Sequence, residues 1–395
     1  MIKITDKSKC TGCHACTTIC PKSCISMCID DEGFWYPLVE EANCVNCGAC
    51  VRACPILTPL DDKKTDEDVT AYAVIHKDAF IREKSSSGGV FTAIATYVIM
   101  HGGVVFGAAF DDHFRVAHRY VETVEDLKEL RGSKYVQSKI GDSYRLVESF
   151  LKNGRQVLFS GTPCQIEGLF AYLGENYENL LTQDIICHGV PSPMVWEQYK
   201  QWQIAKAGAE INSIFFRDKK EGWKRYSMMI KYVNNKEYVM PLNKDPFLQA
   251  FIKNLCLRPS CYDCSFKKMY RLSDFTLADF WGIENVLPHC MDDGGVSLVL
   301  VNSPKAQNIF SQIKDFMVVE KVDMGLAVKH NSAFTHSVPM EAKRASFIQA
   351  VKTEDFKKVK KRFLKPSLLQ TIIRMCKRLI RRLLKLDGKK KGKPL

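Results

Sequence analysis

Eight of the 17 cysteines in this 395-residue chain fall into two copies of one pattern, and no other feature limits its folding as tightly. The first copy is Cys10-x2-Cys13-x2-Cys16-x3-Cys20-Pro21 and the second is Cys44-x2-Cys47-x2-Cys50-x3-Cys54-Pro55. Three closely spaced thiolates can wrap three corners of one [4Fe–4S] cubane. The fourth, set off by three residues and followed by proline, reaches the other cluster. The spacing therefore assigns Cys10, Cys13, Cys16 and Cys54 to one cluster, and Cys44, Cys47, Cys50 and Cys20 to the other. Thiolates also suit zinc, but two complete copies, each closed by proline, favour iron–sulfur. Cys24 and Cys28 lie outside the pattern and read as buried or incidental residues.

The same cysteines would form a disulfide scaffold in a secreted protein. Met1 is followed by Lys3, Asp6, Lys7 and Lys9 with no apolar leader, so a reducing, cytoplasmic compartment and metal ligation are expected. The stretch Ser85–Phe110 has no Lys, Arg, Asp or Glu, but Ser85 to Gly89 open it and His101, Gly102 and Gly103 divide its apolar part. It reads as a buried helix followed by a buried strand rather than a membrane span. The net charge of +13 is concentrated: from Lys357 to Leu395 there are sixteen Lys and Arg against one acid, Asp387. The rest of the chain is close to neutral, which argues against a nucleic-acid-binding fold.

Residues 1–58 are filled by the two cysteine runs, and 59–68 form a polar, acidic linker. From Val69 strand-like and helix-like runs alternate. The run at 157–159 precedes a helix from Gln165 to Leu173, the run at 180–187 one from Pro193, and the run at 296–301 one from Pro304 to Ile313. Ser-Pro pairs at two of these starts fit helix N-termini. The alternation predicts an α/β core over 69–345, with an antiparallel insertion at 211–240. From 346 to 395 the chain reads as a helical, basic tail. Within it Ser367–Leu386 sets Leu368, Ile372, Met375, Leu379 and Leu383 against a cationic face, which suits an anionic membrane surface or a partner protein.

A second constellation is Cys256-x4-Cys261-x2-Cys264, with Cys164 or Cys187 as a candidate fourth thiol. Alone, that spacing fits a zinc knot or redox thiols equally well; beside two clusters, a third is the more coherent reading. The segments Ser85–Gly89, Arg131–Tyr135, Cys187–Pro191 and Asp279–Gly282 lie at element boundaries, where α/β folds gather ligand-binding loops.

In order, SSSGGVFTA, GSKYVQS, FSGTPCQIEGL, DIICHGVPSP, CLRPSCYDCSFK and SDFTLADFWGI resemble the coenzyme F-420 hydrogenase/dehydrogenase beta-subunit family, over Val69 to His336. The resemblance implies a large mixed α/β flavin-binding domain behind the ferredoxin-like module. It implies FAD phosphates held by Ser87, Gly88 and Gly89, and a phosphate or ribose contact at Ser133, Lys134 and Tyr135. It implies core-domain cluster ligands Cys164, Cys256, Cys261 and Cys264, and catalytic candidates His188 and Asp279 near the flavin. The family includes deazaflavin-coenzyme oxidoreductases and a chlorophyll-derivative reductase, and many bacterial members accompany polysaccharide pyruvyl transferase functions. The expected function is transfer of electrons from a ferredoxin-like donor through the clusters to FAD and on to a two-electron small-molecule substrate, with the reverse direction and an oligomer both open. The alternative is an electron-transfer subunit serving a separate catalytic partner. The chain from Phe347 onward is not explained by the resemblance.

Overall fold

The structure is a computed structural model and describes residues 1–60 and 69–364. At the N-terminus β1 (Ile25–Ile29) and β2 (Trp35–Val39) pair antiparallel. Short helices at Ala15–Thr18 and Ala49–Arg52 carry the third cysteine of each run. The runs follow the same path: φ is +67° at Gly12 and +52° at Asn46, then +67° at His14 and +72° at Gly48. Left-handed residues at these steps curl each run into a concave backbone.

The large domain is built on β3 (Thr70–His76), β4 (Val104–Phe110), β5 (Val116–Val121), β6 (Val157–Ser160), β7 (Leu180–Ile185), β11 (Phe275–Asp279), β12 (Ser297–Val301) and β13 (Met317–Val322). These form one mixed sheet in the order β13-β3-β12-β11-β7-β6-β4-β5. Its centre is parallel, β4 to β6 to β7 to β11, and both flanks are antiparallel. Apolar residues on the central strands alternate between two cores. Val105, Leu158 and Leu181 pack under Val90–Met100 and Pro304–Ile313. Val104, Phe106, Val157 and Phe159 pack under Ser143–Lys152 and Pro163–Leu173. Helices on both faces are what a parallel sheet requires. The expected helix starts are realised: Thr162 and Gln165 form a capping box before Pro163–Leu173, and Ser192 and Ser303 cap the helices that open at Pro193 and Pro304.

The insertion is a three-stranded antiparallel sheet, β8 (Ile211–Asp218), β9 (Ser227–Tyr232) and β10 (Glu237–Pro241). It shares a core with Trp196, Tyr199 and Phe247. Helices at Arg344–Thr353 and Phe356–Phe363 add Phe347, Ile348, Val351, Phe356 and Val359 to that same core. The chain from 346 is therefore packed structure as far as Leu364 rather than a separate tail. The cationic stretch Ser367–Leu386 lies outside the described residues. Among the described residues no helix is long and apolar enough to cross a membrane.

The cysteine-run module is docked onto the large domain. Arg344 pairs with Glu32, Lys352 pairs with Asp31, and Ser192 donates to the Glu32 carbonyl. Gln137 donates to the Thr11 carbonyl at 3.1 Å and Arg145 to the Thr18 carbonyl at 3.2 Å. A Cβ at Gly33 would stand 2.5 Å from the Met194 amide nitrogen, so the two surfaces meet backbone to backbone there.

Candidate functional site

None of the sixteen cysteines among the described residues forms a disulfide. Cys10, Cys13, Cys16 and Cys54 line one recess with about 360 Å³ of free space, walled by Ile2, Ile4, Met27 and Pro37. Cys20, Cys44, Cys47 and Cys50 line a second, of about 320 Å³. The crossed grouping expected from the spacing, with each fourth cysteine joining the other run, is thus the grouping the fold produces. The Ile2 amide donates to Cys50 Sγ at 3.2 Å. Burial pushes the Cys10 and Cys13 thiols up, Cys13 to about 12. Cys24, set aside in the sequence, is buried beside the second recess with its Sγ 3.4 Å from that of Cys20. Cys28 is exposed on β1.

The first recess abuts the large domain. A Cβ at Gly168 would stand 2.9 Å from Cys13 Cβ and 3.1 Å from Cys13 Sγ, so only glycine lets the helix Pro163–Leu173 approach this closely. Gly168 is one helical turn from Cys164. Tyr144 fills the corner between them. Its hydroxyl donates to the Gln165 carbonyl at 2.7 Å, and its phenol, already pushed up by burial, feels both Cys13 and Cys164.

At the carboxyl ends of the parallel strands the fold gathers a third thiol set. Cys164 follows β6, Cys187 follows β7, and Cys261 and Cys264 come from the loop before β11. Burial is the main reason these thiols resist ionisation, with Cys187 pushed to about 11 and Cys261 to about 12. Cys164, Cys187 and Cys261 are each raised further by charge on others of the set. Val190 donates its amide to Cys261 Sγ at 3.4 Å, and Lys267 Nζ lies 2.8 Å from the Cys187 carbonyl. Cys256, by contrast, is fully buried in the apolar core beside Arg344 and the Ser192 amide. The fold thus sets Cys256 apart from Cys164, Cys261 and Cys264, which it was expected to join, and brings Cys187 to their edge at the end of β7.

A tetrahedral zinc with Zn–S of about 2.3 Å holds its sulfurs about 3.8 Å apart. Among the described residues the one group of three such ligands within 4.8 Å is His289, Cys290 and Glu320, far from these thiols in the sequence. Among the described residues no three thiols of these sets lie within 4.8 Å of one another, and in a cubane each thiolate binds a different iron.

Beyond the third set lies a cationic corner. Arg217 on β8 is 4% exposed, pairs with Asp279 at the end of β11, and lies over the Tyr226 ring. Its Nε and Nη2 have no hydrogen-bond partner. Trp223 Nε1 donates to the other Asp279 oxygen at 2.7 Å, and Trp223 stacks on Trp281 with centroids 4.9 Å apart. Asp279 is thus committed to holding Arg217 and Trp223. His188 Nε2 donates to Asn254 Oδ1 at 2.8 Å, and burial lowers its imidazole from its usual value. His188 meets Phe251 edge-on at 5.0 Å, Phe251 stacks on Tyr135 at 4.8 Å, and Tyr135 adjoins Phe216.

The Ser85–Gly89 and Arg131–Tyr135 segments do come together, through Ser86 rather than Ser87. The Ser86 and Ser133 hydroxyls are 2.8 Å apart, and the Ser133 amide donates to Ser86 Oγ at 2.8 Å. Ser87 Oγ donates to the Val296 carbonyl, and a Cβ at Gly88 would stand 2.3 Å from the Val74 carbonyl oxygen. Gly88 is therefore required by sheet packing, and Gly89, at φ +96°, caps the helix Val90–Met100. Lys134 donates to the Glu129 and Arg131 carbonyls, and burial pulls its amine down to about 7. Lys219 binds the carbonyls of Arg82, Ser87 and Gly294. Sequence reasoning missed Arg217: nothing in its spacing marks it, since its orientation depends on the pairing of β8 with β9.

A ferredoxin-type module docked on a mixed α/β domain, with three thiol sets, defines an iron–sulfur electron-transfer protein. The chain belongs to the coenzyme F420 hydrogenase/dehydrogenase beta-subunit family. The model of that family's N-terminal part matches residues 71–143 and the model of its C-terminal part matches 154–325. A 4Fe–4S dicluster domain model matches residues 9–57. Among solved structures, one chain of the F420-reducing [NiFe] hydrogenase complex from Methanosarcina barkeri is similar at 19% identity. The likeness covers 74% of this chain and 91% of that one, with a TM-score of 0.43. No curated protein matches.

Proposed function

We propose that this chain is an iron–sulfur flavoprotein oxidoreductase that accepts electrons singly from a ferredoxin-like donor and delivers them in pairs to a small molecule, a deazaflavin coenzyme or a substrate linked to polysaccharide biosynthesis. Cys20, Cys44, Cys47 and Cys50 would hold the cluster nearest the surface. Cys10, Cys13, Cys16 and Cys54 would hold the inner one, and Cys164, Cys187, Cys261 and Cys264 a third. FAD would lie against Ser86, Ser133, Lys134, Tyr135 and Arg217. Clusters carry single electrons, and a flavin converts between single electrons and hydride.

The observation that carries the reading is contiguity. Cys13 touches Gly168 one turn from Cys164, and Cys187 adjoins His188, Phe251, Tyr135 and Arg217 in turn. Arg217 supports the flavin in particular. A buried guanidinium with two unpaired donors is costly unless an anion completes it, and a pyrophosphate has the charge and geometry to do so. Asp279 positions that guanidinium, and the aromatic walls exclude water. Titration of the reconstituted full chain with FAD tests this: saturable binding at one site is expected, and loaded clusters without FAD binding would refute the flavin.

The engaged state of His188 and Asp279 favours a second reading, in which the chain relays electrons to a separate catalytic partner. Copurification of a stoichiometric partner, with no turnover by the isolated chain, would select it.

A further inference from the structure

Arg258 is fully buried between the cysteine-run module and the large domain. Nε donates to the Cys10 carbonyl at 2.7 Å, Nη2 to the Trp35 carbonyl at 2.9 Å, and Nη1 to Gln137 Oε1 at 3.0 Å. The guanidinium lies 4.3 Å from the Tyr36 ring centroid. Gly12 is glycine partly for its sake, since a Cβ there would stand 2.9 Å from Nη1. These partners, two backbone carbonyls and a carboxamide, are all neutral, and among the described residues no carboxylate pairs with Arg258. A buried cation without a counter-charge is strongly disfavoured. The anion-forming groups its charge acts on include the Cys10 and Cys261 thiols. Its charge opposes the effect of burial on the Cys10 thiol, and its own carbonyl accepts the Cys261 amide at 2.9 Å, which ties the same residue to the third set.

We infer that Arg258 is the shared counter-cation of the inner module cluster and the core-domain cluster, and that it sets the inner cluster's reduction potential above that of the surface cluster. The inference rests on the ligand assignment above. An added electron makes a thiolate-bound cluster more negative, so a fixed buried cation stabilises the reduced form. Arg258 is a positioning and tuning residue and touches no substrate.

The test is an EPR-monitored redox titration of the full reconstituted chain, with iron counted first. Arg258→Gln should lower the inner cluster's potential so that its reduced-to-oxidised ratio at fixed potential falls about tenfold, about 59 mV for one electron. Gln137→Glu, which places a carboxylate on Nη1 and leaves the guanidinium present, should move the same wave in the same direction. Arg258→Lys keeps the charge and should leave it nearly unmoved. The wave altered by Cys47→Ser, that of the surface cluster, should not respond to any of them. If Arg258→Gln does not accumulate, Gln137→Glu decides alone. An unmoved inner wave with full iron, or equal shifts for Lys and Gln, would overturn the inference. Absence of cluster signals in the unsubstituted chain would instead overturn the ligand assignment, and the inference with it.

Discussion

The sharpest consequence of the core-domain geometry concerns two cysteines, Cys187 and Cys256, that the fold separates and the sequence does not. Replacing Cys187 with alanine removes one corner of the third thiol set. The other three can keep at most a three-iron remnant. With four irons per cubane, the full chain should carry about twelve, and the variant about eleven, falling to about eight if the remnant disassembles. Replacing Cys256 with alanine should leave all twelve. Its thiol is fully buried in an apolar core, so the change creates a small cavity and costs roughly 1 kcal/mol of stability without touching iron. The assay is iron and sulfide quantitation on anaerobically reconstituted protein, with EPR to detect a three-iron signal. Iron loss in Cys256→Ala together with full iron in Cys187→Ala would refute the assignment.

Gly88→Ala should destabilise the fold by about 3 kcal/mol, read as a lower denaturation midpoint, because its Cβ would meet the Val74 carbonyl at 2.3 Å. Asp279→Asn breaks a buried ion pair with Arg217 and should cost roughly 3–5 kcal/mol by thermal melting, with bound flavin recovering part of it. The Lys134 amine, pulled down by burial to about 7 in the flavin-free protein, must be protonated to attract a phosphate. FAD affinity should therefore be greatest below pH 7 and fall as pH rises through about 7, by up to about tenfold per unit. Lys134→Met should flatten that profile, as measured by fluorescence quenching at several pH values. Anionic liposomes should sediment the full chain and not one lacking residues 365–395; equal binding would remove any membrane role for the cationic stretch.

The two cysteine runs were legible in detail, because their ligand geometry is written in local spacing and needs only one fold to satisfy it. The α/β alternation and the Ser-Pro helix starts were legible for the same reason: capping and periodicity are local. The third thiol set was legible only in part. Cys261 and Cys264 are close in sequence, but the choice between Cys187 and Cys256 depends on where β7 ends relative to β11. Arg217 was invisible because its importance comes from what it lacks, a partner for two of its donors. The packing of Phe347 through Leu364 was hidden for a related reason. An amphipathic, basic helix shows which face is apolar but not what covers it. Ser87 and Gly88 illustrate the converse. Their glycine-rich segment suggested a phosphate cradle, and in the fold Gly88 lies against the sheet backbone while Ser86 faces Ser133.

Cofactor quantitation on anaerobically purified, full-length protein tests the account most directly. About twelve irons and one FAD per chain are expected. About eight irons with one zinc, or twelve irons with no flavin bound or bindable, would contradict it.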